Sequence, residues 1–276
     1  MNKAICHYSF HRRAKEEGWS LERFVSEVES FAIEGIDFHA KQVGPVETAA
    51  SWITASFRHS RLKLTSMSLS TNFNQPKKED WDEQVANTRK WLDVAVAIKA
   101  PICRIFGGRI AKEDRSDAAL RAAAWQRMLD GVAAVTREAK ARNVVLALEN
   151  HGGLPCSGQE QVDAIRAVNS PYLRATVDVG NYMNCGQEGV EGVRIAAPYC
   201  AYVHLKDFKK VPDATAPWGW TTAACALGEG AVDLAGCLEV LRLAGYTGFV
   251  ALEYEGAEDE RTAVPRCINV MNRLVR

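Results

Sequence analysis

Ten residues constrain the fold of this chain more than any others: the run Val144-Val-Leu-Ala-Leu-Glu149, followed by Asn150, His151, Gly152 and Gly153. A continuous apolar run bounded by turn residues suits a strand buried on both faces. This one ends abruptly on a carboxylate, at the carboxyl end of a strand, where parallel α/β proteins place their chemistry. The pattern recurs downstream. Arg174–Val177 runs into Asp178, Ala201–Val203 into His204, and Phe249–Leu252 into Glu253. Four consecutive strand candidates each deliver one oxygen or imidazole ligand at the same end.

Short apolar runs recur roughly every thirty residues, about the length of one strand-plus-helix unit. In order they are Ala4–Phe10, Gly35–Phe38, Leu64–Leu69, Ile102–Phe106, Val144–Glu149, Arg174–Asp178, Ala201–Leu205 and Phe249–Glu253. Segments of helical period lie between them. Ser20 caps a helix whose apolar positions Leu21, Phe24, Val25 and Val28 follow i, i+3, i+4 spacing. Further helices are predicted over Asp80–Lys99, over Ser116–Arg142 with Ser116 as cap, around Val162–Val168, and around Leu234–Leu243 with Gly245 as its stop. A last one spans Thr262–Arg276. Eight strands alternating with helices, with no linker or charge block between them, predict a single-domain α/β protein over residues 1–276, a (β/α)8 TIM barrel. A doubly wound open sheet is the runner-up, and neither Asn72-Phe-Asn74 nor Gly107-Gly108 is the phosphate loop it ordinarily carries. One long connection, about 208–230, carries Trp218, Trp220 and Gly228-Glu-Gly230. Following the seventh strand, it is expected to lie over the barrel mouth as a lid-like loop.

Lys+Arg and Asp+Glu number 34 each, so the net charge is zero, unlike the basic footprint of a nucleic-acid binder. The 8 cysteines are scattered with no Cys-x-x-Cys pair, which argues against a structural zinc site. No signal-peptide pattern precedes Ala4, and no apolar stretch approaches the roughly 20 residues of a membrane span. The expectation is a cytoplasmic protein without membrane or nucleic-acid partners.

Three carboxylates pointing into one pocket repel and raise each other's pKa, a conflict that one divalent cation removes. Glu149, Asp178 and Glu253 with the His204 imidazole make a hard oxygen/nitrogen set suited to Mn²⁺ first, with Mg²⁺, Co²⁺ or Zn²⁺ as alternatives. Each residue taken alone has an ordinary reading as a strand-end polar group, a hydrogen-bonded core histidine or a turn cap. Their coincidence at four strand ends does not.

These residues also carry a resemblance. Leu148-Glu-Asn-His-Gly152, Val177-Asp-Val-Gly-Asn181, Val203-His-Leu-Lys-Asp207, Leu227-Gly-Glu-Gly-Ala-Val-Asp233 and Gly245–Glu253 resemble the xylose isomerase-like TIM-barrel superfamily. The nearest branch is the sugar phosphate isomerase/epimerase group, related to ketose 3-epimerases and inosose-processing enzymes. The resemblance covers nearly the whole chain, since Glu34-Gly-Ile-Asp37 is similar to the second strand of that family. It implies Glu149, Asp178, His204 and Glu253 as metal ligands, and Glu149 and Glu253 as the catalytic pair facing opposite sides of the substrate. Many members carry histidine three residues after the aspartate, whereas this chain has Asn181. Asparagine cannot shuttle a proton, and Asn181 is instead a candidate for binding a substrate hydroxyl.

Strand alternation puts Lys206 on the face of His204, where its cation suits a substrate oxyanion. His151, two residues beyond Glu149, and His7 and His39, near the first two strands, are further substrate-contact candidates, and Glu229 could pin the lid. The reading is a divalent-metal-dependent sugar isomerase or epimerase that removes a proton next to a carbonyl through an enediolate. A dehydratase or lyase acting on keto-sugars or cyclitols by β-elimination is the alternative on the same site. A non-catalytic sugar-binding barrel is a third class. A nuclease is disfavoured because the third and fourth strands, Leu64–Ser70 and Ile102–Phe106, carry no histidine. The partner is a small sugar-like molecule. A homo-oligomer is left open, to be marked by exposed tryptophans on the helices.

Overall fold

The computed structural model describes residues 1–275 except 112 and 152, and the side chains of all of these but 113 and 115. Gly152 and the terminal Arg276 named above therefore lie outside the described residues. Eight parallel strands close into a barrel: β1 (Asn2–Cys6), β2 (Gly35–His39), β3 (Lys63–Ser68), β4 (Ile102–Phe106), β5 (Val145–Glu149), β6 (Leu173–Asp178), β7 (Cys200–Leu205) and, last in sequence, β10 (Phe249–Leu252), which pairs with both β7 and β1. Two further strands, β8 (Asp207–Pro212) and β9 (Trp220–Cys225), pair with each other antiparallel. The architecture is the single (β/α)8 barrel that the strand spacing predicts.

The outer layer holds the helices α1 (His11–Glu17), α2 (Leu21–Glu29), α3 (Ala40–Val43), α4 (Val46–Ser56), α5 (Lys78–Ala97), α6 (Ala118–Ala141), α7 (Gly158–Val168), α8 (Gly189–Ala196), α9 (Leu234–Leu243) and α10 (Glu260–Leu274). Their ends are set by local chemistry. Ser20 accepts a hydrogen bond from Arg23 N at the start of α2. A reciprocal Ser157/Glu160 capping box opens α7. At α6 the structure corrects the predicted cap: Asp117, not Ser116, accepts from Ala119 N and Leu120 N, because only Asp117 stands immediately before the first helical turn. No helix among the described residues is long and apolar enough to cross a membrane.

Alternate residues of each barrel strand face inward. Ala4, Tyr202 and Ala251 form a small apolar cluster of their own at the amino-terminal end of the interior. Two residues further along the same strands come Cys6, His204 and Glu253, so polar groups sit directly above that floor. The opposite faces, including Ile5, Ile36, Met67, Ile105, Leu148, Val177, Val203 and Leu252, join the main apolar core with the helices. At Gly35 an added Cβ would fall 2.3 Å from Thr65 Cγ2, so only glycine lets β2 and β3 approach this closely.

Two further sequence expectations need correction. The first strand stops at Cys6 rather than Phe10, because the chain turns into a 3-10 helix at His7–Phe10. The connection after the seventh strand is not an irregular loop. Its β-branched and aromatic residues pair from Asp207↔Cys225 to Pro212↔Trp220, and a turn closed by Asp213 N to Gly219 O (3.0 Å) joins them. The hairpin stands at the mouth on the side of the β5 and β6 loops: Thr222 Oγ1 donates to Asn184 Oδ1 (2.6 Å), and Lys210 pairs with Glu188 at 2.5 Å.

Candidate metal centre

Glu149 ends β5, Asp178 ends β6, and His204 lies inside β7, paired in register with Asp178. Glu253 follows β10 directly, its backbone N–H held by Leu205 O at 3.1 Å. One ligand atom from each of the four lies within 4.8 Å of all the others, and all four residues are buried. The sequence expectation that strand ends bring these side chains together therefore has a geometric counterpart.

Each of the four has one atom tied to the scaffold and one left over. Glu149 Oε1 accepts from Asn181 Nδ2 (3.1 Å), and Asp178 Oδ1 accepts from the N–H groups of Gly180 (2.9 Å) and Asn181 (3.0 Å). His204 Nε2 meets Asp37 Oδ2 at 2.9 Å, and the Cys6 thiol donates weakly to Glu253 Oε1 at 3.8 Å. The remaining atoms, Glu149 Oε2, Asp178 Oδ2, His204 Nδ1 and Glu253 Oε2, are buried without a hydrogen-bond partner. Buried polar atoms are seldom left so. Three carboxylate oxygens and one imidazole nitrogen, mutually close and tied by no hydrogen bond of their own, fit a divalent cation.

Charge leads to the same conclusion. Among the described residues, five carboxylates (Asp37, Glu149, Asp178, Glu253 and Glu255) gather here with two permanent cations, Arg104 and Lys206. Arg104 Nε lies 3.1 Å from Glu149 Oε2, and its Nη2 lies 3.7 Å from Glu253 Oε1. Lys206 Nζ lies 2.6 Å from Glu253 Oε2, 3.1 Å from Glu255 and 3.3 Å from Asp178. It is nevertheless off hydrogen-bonding direction to all of them. Burial works to raise the Glu149 and Glu253 pKa values, but neighbouring cations outweigh it: Arg104 and His204 hold Glu149 low, and Lys206 and His204 hold Glu253 well below the usual range. Burial prevails at Asp178, whose carboxyl is pushed up to about 7 against the pull of Lys206. At His204 burial is overcome by the Glu253 and Glu149 carboxylates, which drive its pKa well up. A cation bound at Nδ1 would take the place of that proton.

The other sequence candidates are distributed around this centre. Asn181 is buried and bridges Glu149 and Asp178. His151, near the start of the β5–α7 loop, stacks on Phe106 with ring centroids 4.0 Å apart, and burial lowers its pKa. Lys206 faces the carboxylates just described. The ring of His7 stacks on Phe24 at 4.0 Å and meets Phe38 edge-on at 5.5 Å, and burial pushes its pKa down to about 3. His39 Nε2 lies 3.2 Å from Ser70 Oγ. Glu229 pairs with Arg266 at 2.5 Å and lies 3.9 Å from Lys209 of β8, on the hairpin.

Sequence reasoning missed Asp37, Ser68 and Arg104. Arg104 Nε donates to Ser68 Oγ (3.0 Å), Ser68 Oγ reaches both Asp37 oxygens (2.8 Å each), and Asp37 holds His204. The signal available was a charged residue in the middle of an apolar strand, as in Ile102-Cys-Arg-Ile-Phe106, at an inward position.

A parallel barrel with a buried carboxylate–imidazole cluster at the carboxyl ends of its strands defines the class, a (β/α)8 protein with a candidate metal centre at its mouth. The chain belongs to the xylose isomerase-like TIM barrel family, whose model matches residues 25–274. It is similar to the inosose dehydratase of Bacillus licheniformis, 25% identical over 151 residues, which are 49% of this chain and 48% of that enzyme. The match thus spans about half the length of that relative. Among solved structures it is similar to the IOLI protein with a bound zinc atom (TM-score 0.76, 14% identity, 99% of this chain and 96% of that one). It is also similar to 3-keto-D-glucoside 4-epimerase from E. coli (TM-score 0.73, 12% identity, 92% and 94%). At these identities the structural likeness speaks for the fold. The family includes epimerases and dehydratases.

Proposed function

We propose that this protein is a divalent-metal-dependent enzyme that removes a proton next to the carbonyl of a small sugar-like substrate, giving isomerisation or epimerisation. The observation that carries the reading is the set of four mutually facing atoms, none with a hydrogen bond of its own, on Glu149, Asp178, His204 and Glu253. A divalent ion held by them, Mn²⁺ by preference, would supply Lewis acidity toward a carbonyl and its neighbouring hydroxyl.

The chain supplies the rest. Glu149 and Glu253 are kept ionised by Arg104, Lys206 and His204, so each starts as a base rather than an acid. One takes the α-proton and the other, or the same one, returns it to the resulting enediolate of the substrate. Asn181 orients the Glu149 carboxylate through its Oε1. His151 stands on the β5 loop, where a substrate hydroxyl would arrive. In this reading the Lys206 ammonium would meet negative charge developing on the substrate oxygen.

A second reading, loss of a β-hydroxyl from the same enediolate, is favoured by the half-length similarity to an inosose dehydratase. The test is ¹H NMR of Mn²⁺-loaded protein in D₂O with ketoses, inososes and 3-keto-sugars. Metal-dependent loss of an α-proton signal, abolished in Glu149→Gln and in Glu253→Gln, is the expected result, and the product separates epimer from dehydrated ketone. Full exchange retained in either variant overturns that residue's role as base.

A further inference from the structure

Beside the metal centre, the hairpin β8/β9 roofs a cavity of about 910 Å³ whose wall includes Cys156, Cys185, Arg121, Glu160, Asn184 and Trp218. Cys156 sits on the β5–α7 loop, directly before the capping Ser157, and Cys185 ends the 3-10 helix Asn181–Cys185 that follows β6. Their thiols hydrogen-bond to each other. Cys185 Sγ also lies 3.2 Å from Tyr182 O.

The β5–α7 loop is pinned on both sides of Cys156, to the loop after β4 and to the loop after β6. Leu154 and Gly108 exchange backbone hydrogen bonds at 2.8 and 2.9 Å, and Gly158 N donates to Gln187 Oε1 at 2.9 Å. Two residues beyond each cysteine, the loops are thus bonded to one another, which holds the thiols in register. At Gly186, whose φ is +78°, an added Cβ would fall 2.6 Å from the Trp218 ring, so the hairpin tip rests directly on the residue after Cys185.

We propose that Cys156 and Cys185 form a redox-active dithiol, oxidised by a peroxide to an intramolecular disulfide that locks the β5 and β6 mouth loops together. In the first step the Cys185 sulfur bonds to one peroxide oxygen as the O–O bond breaks, giving a sulfenic acid and an alcohol, or water from hydrogen peroxide. In the second the Cys156 sulfur attacks the Cys185 sulfur, the S–O bond breaks, and water leaves with the thiol proton. Two electrons pass from the dithiol to the peroxide, and an S–S bond of about 2.05 Å forms between the two sulfurs.

The remaining cysteines are poor competitors. Burial pushes up the thiols of Cys6, Cys103, Cys200, Cys225, Cys237 and Cys267, keeping them protonated. At Cys185 the hydrogen bond from Cys156, helped by the Gln187 N–H and the Arg121 guanidinium, lowers the pKa against burial and Glu160. Thiolate is the nucleophile, so oxidation starts there.

The experiment is to expose the full chain to hydrogen peroxide, alkylate the remaining thiols, and map the peptides by mass. The expected result is one cross-linked peptide pair joining Cys156 and Cys185, lighter by two hydrogens, with loss of two of the eight alkylatable thiols, all reversed by dithiothreitol. In Cys156→Ser, which lacks the resolving thiol, Cys185 should be trapped by dimedone as sulfenic acid. Oxidation spread over the other cysteines, or a wild-type protein that keeps both thiols while others oxidise, overturns the proposal. Mapping of the wild type decides the matter on its own if a serine variant fails to fold.

Discussion

His204 Nε2 and Asp37 Oδ2 lie 2.9 Å apart, both fully buried, on strands β7 and β2, which are not neighbours in the barrel. The contact spends one imidazole nitrogen on the scaffold and turns the other, Nδ1, toward Glu149 Oε2 (3.3 Å) and Glu253 Oε2 (3.5 Å). Asp37 is itself held by both of its oxygens on Ser68 Oγ. The orientation of the nitrogen ligand is therefore decided two residues away from the centre.

Asp37→Ala should accordingly weaken divalent-metal binding by about 10–100-fold, the range typical when a partner that orients a ligating histidine is removed. Titration calorimetry with Mn²⁺ or Zn²⁺ measures this directly. Asp37→Asn, which keeps an acceptor oxygen, should lose less. Unchanged affinity in Asp37→Ala would show that packing alone fixes the His204 ring.

Arg104 has no solvent exposure, and its guanidinium stands over the Phe106 ring at 4.3 Å. Replacing it with Met keeps most of the volume but leaves two buried carboxylates short of a cation. Breaking a buried pair from one side costs about 3–5 kcal/mol. Urea unfolding of metal-free Arg104→Met should show a loss of that order. Added divalent metal should recover part of it, because a ligand that binds only the native state stabilises by mass action, by about 2.7 kcal/mol at 100 times its Kd. An equal loss with and without metal would assign Arg104 a packing role.

What could be read from the sequence divides along the same line. The barrel strands stand out because burial on both faces makes them continuous apolar runs, and the four ligands because each breaks such a run at its end. Asp37, Ser68 and Arg104 act through contacts across the barrel interior, 167 residues apart in the case of Asp37 and His204. No local pattern announces such a partner. Lys206 and Asn181 were legible as positions but not as contacts, because facing a mouth and pairing with its carboxylates look alike in a strand period. The hairpin was hidden by its turn: Asp213–Gly219 is rich in loop residues, and six-residue strands of mixed polarity on either side match no apolar run.

His7 supplies a pH prediction away from the metal centre. Burial against Phe24 and Phe38 lowers its pKa from 6.5 to about 3. Between these values the unfolded chain binds a proton that the native protein refuses, so stability falls as pH drops below about 6.5 and levels off near 3. At pH 5 this single group costs about 2 kcal/mol, from 1.36 kcal/mol per pKa unit. His7→Phe should remove that share of the acid sensitivity, so the variant should gain on the wild type between pH 7 and pH 5 in chemical denaturation. Parallel stability curves for the two proteins would refute a neutral, buried His7.

Asp207 ties the hairpin to the barrel. Its Oδ1 accepts from Phe208 N (2.9 Å) and Val232 N (3.2 Å), and its Oδ2 from Gly228 N (2.8 Å) and Gly230 N (3.0 Å). The approach is so close at Gly230 that an added Cβ would collide with Oδ1. Asp207→Ala strands four backbone donors at once, and an unmet buried donor costs about 1–3 kcal/mol. Water can reach some of them once the side chain is gone, so the expected loss is toward the lower end of their sum, several kcal/mol. Because β8 begins at Asp207, amide exchange should quicken throughout β8, β9 and residues 226–232 while β5 and β6 keep their protection. Asp207→Asn retains an acceptor oxygen and should fall between the two. Unaltered exchange in the hairpin of Asp207→Ala would mean that its contacts with Asn184, Gly186 and Glu188 hold it in place without the anchor.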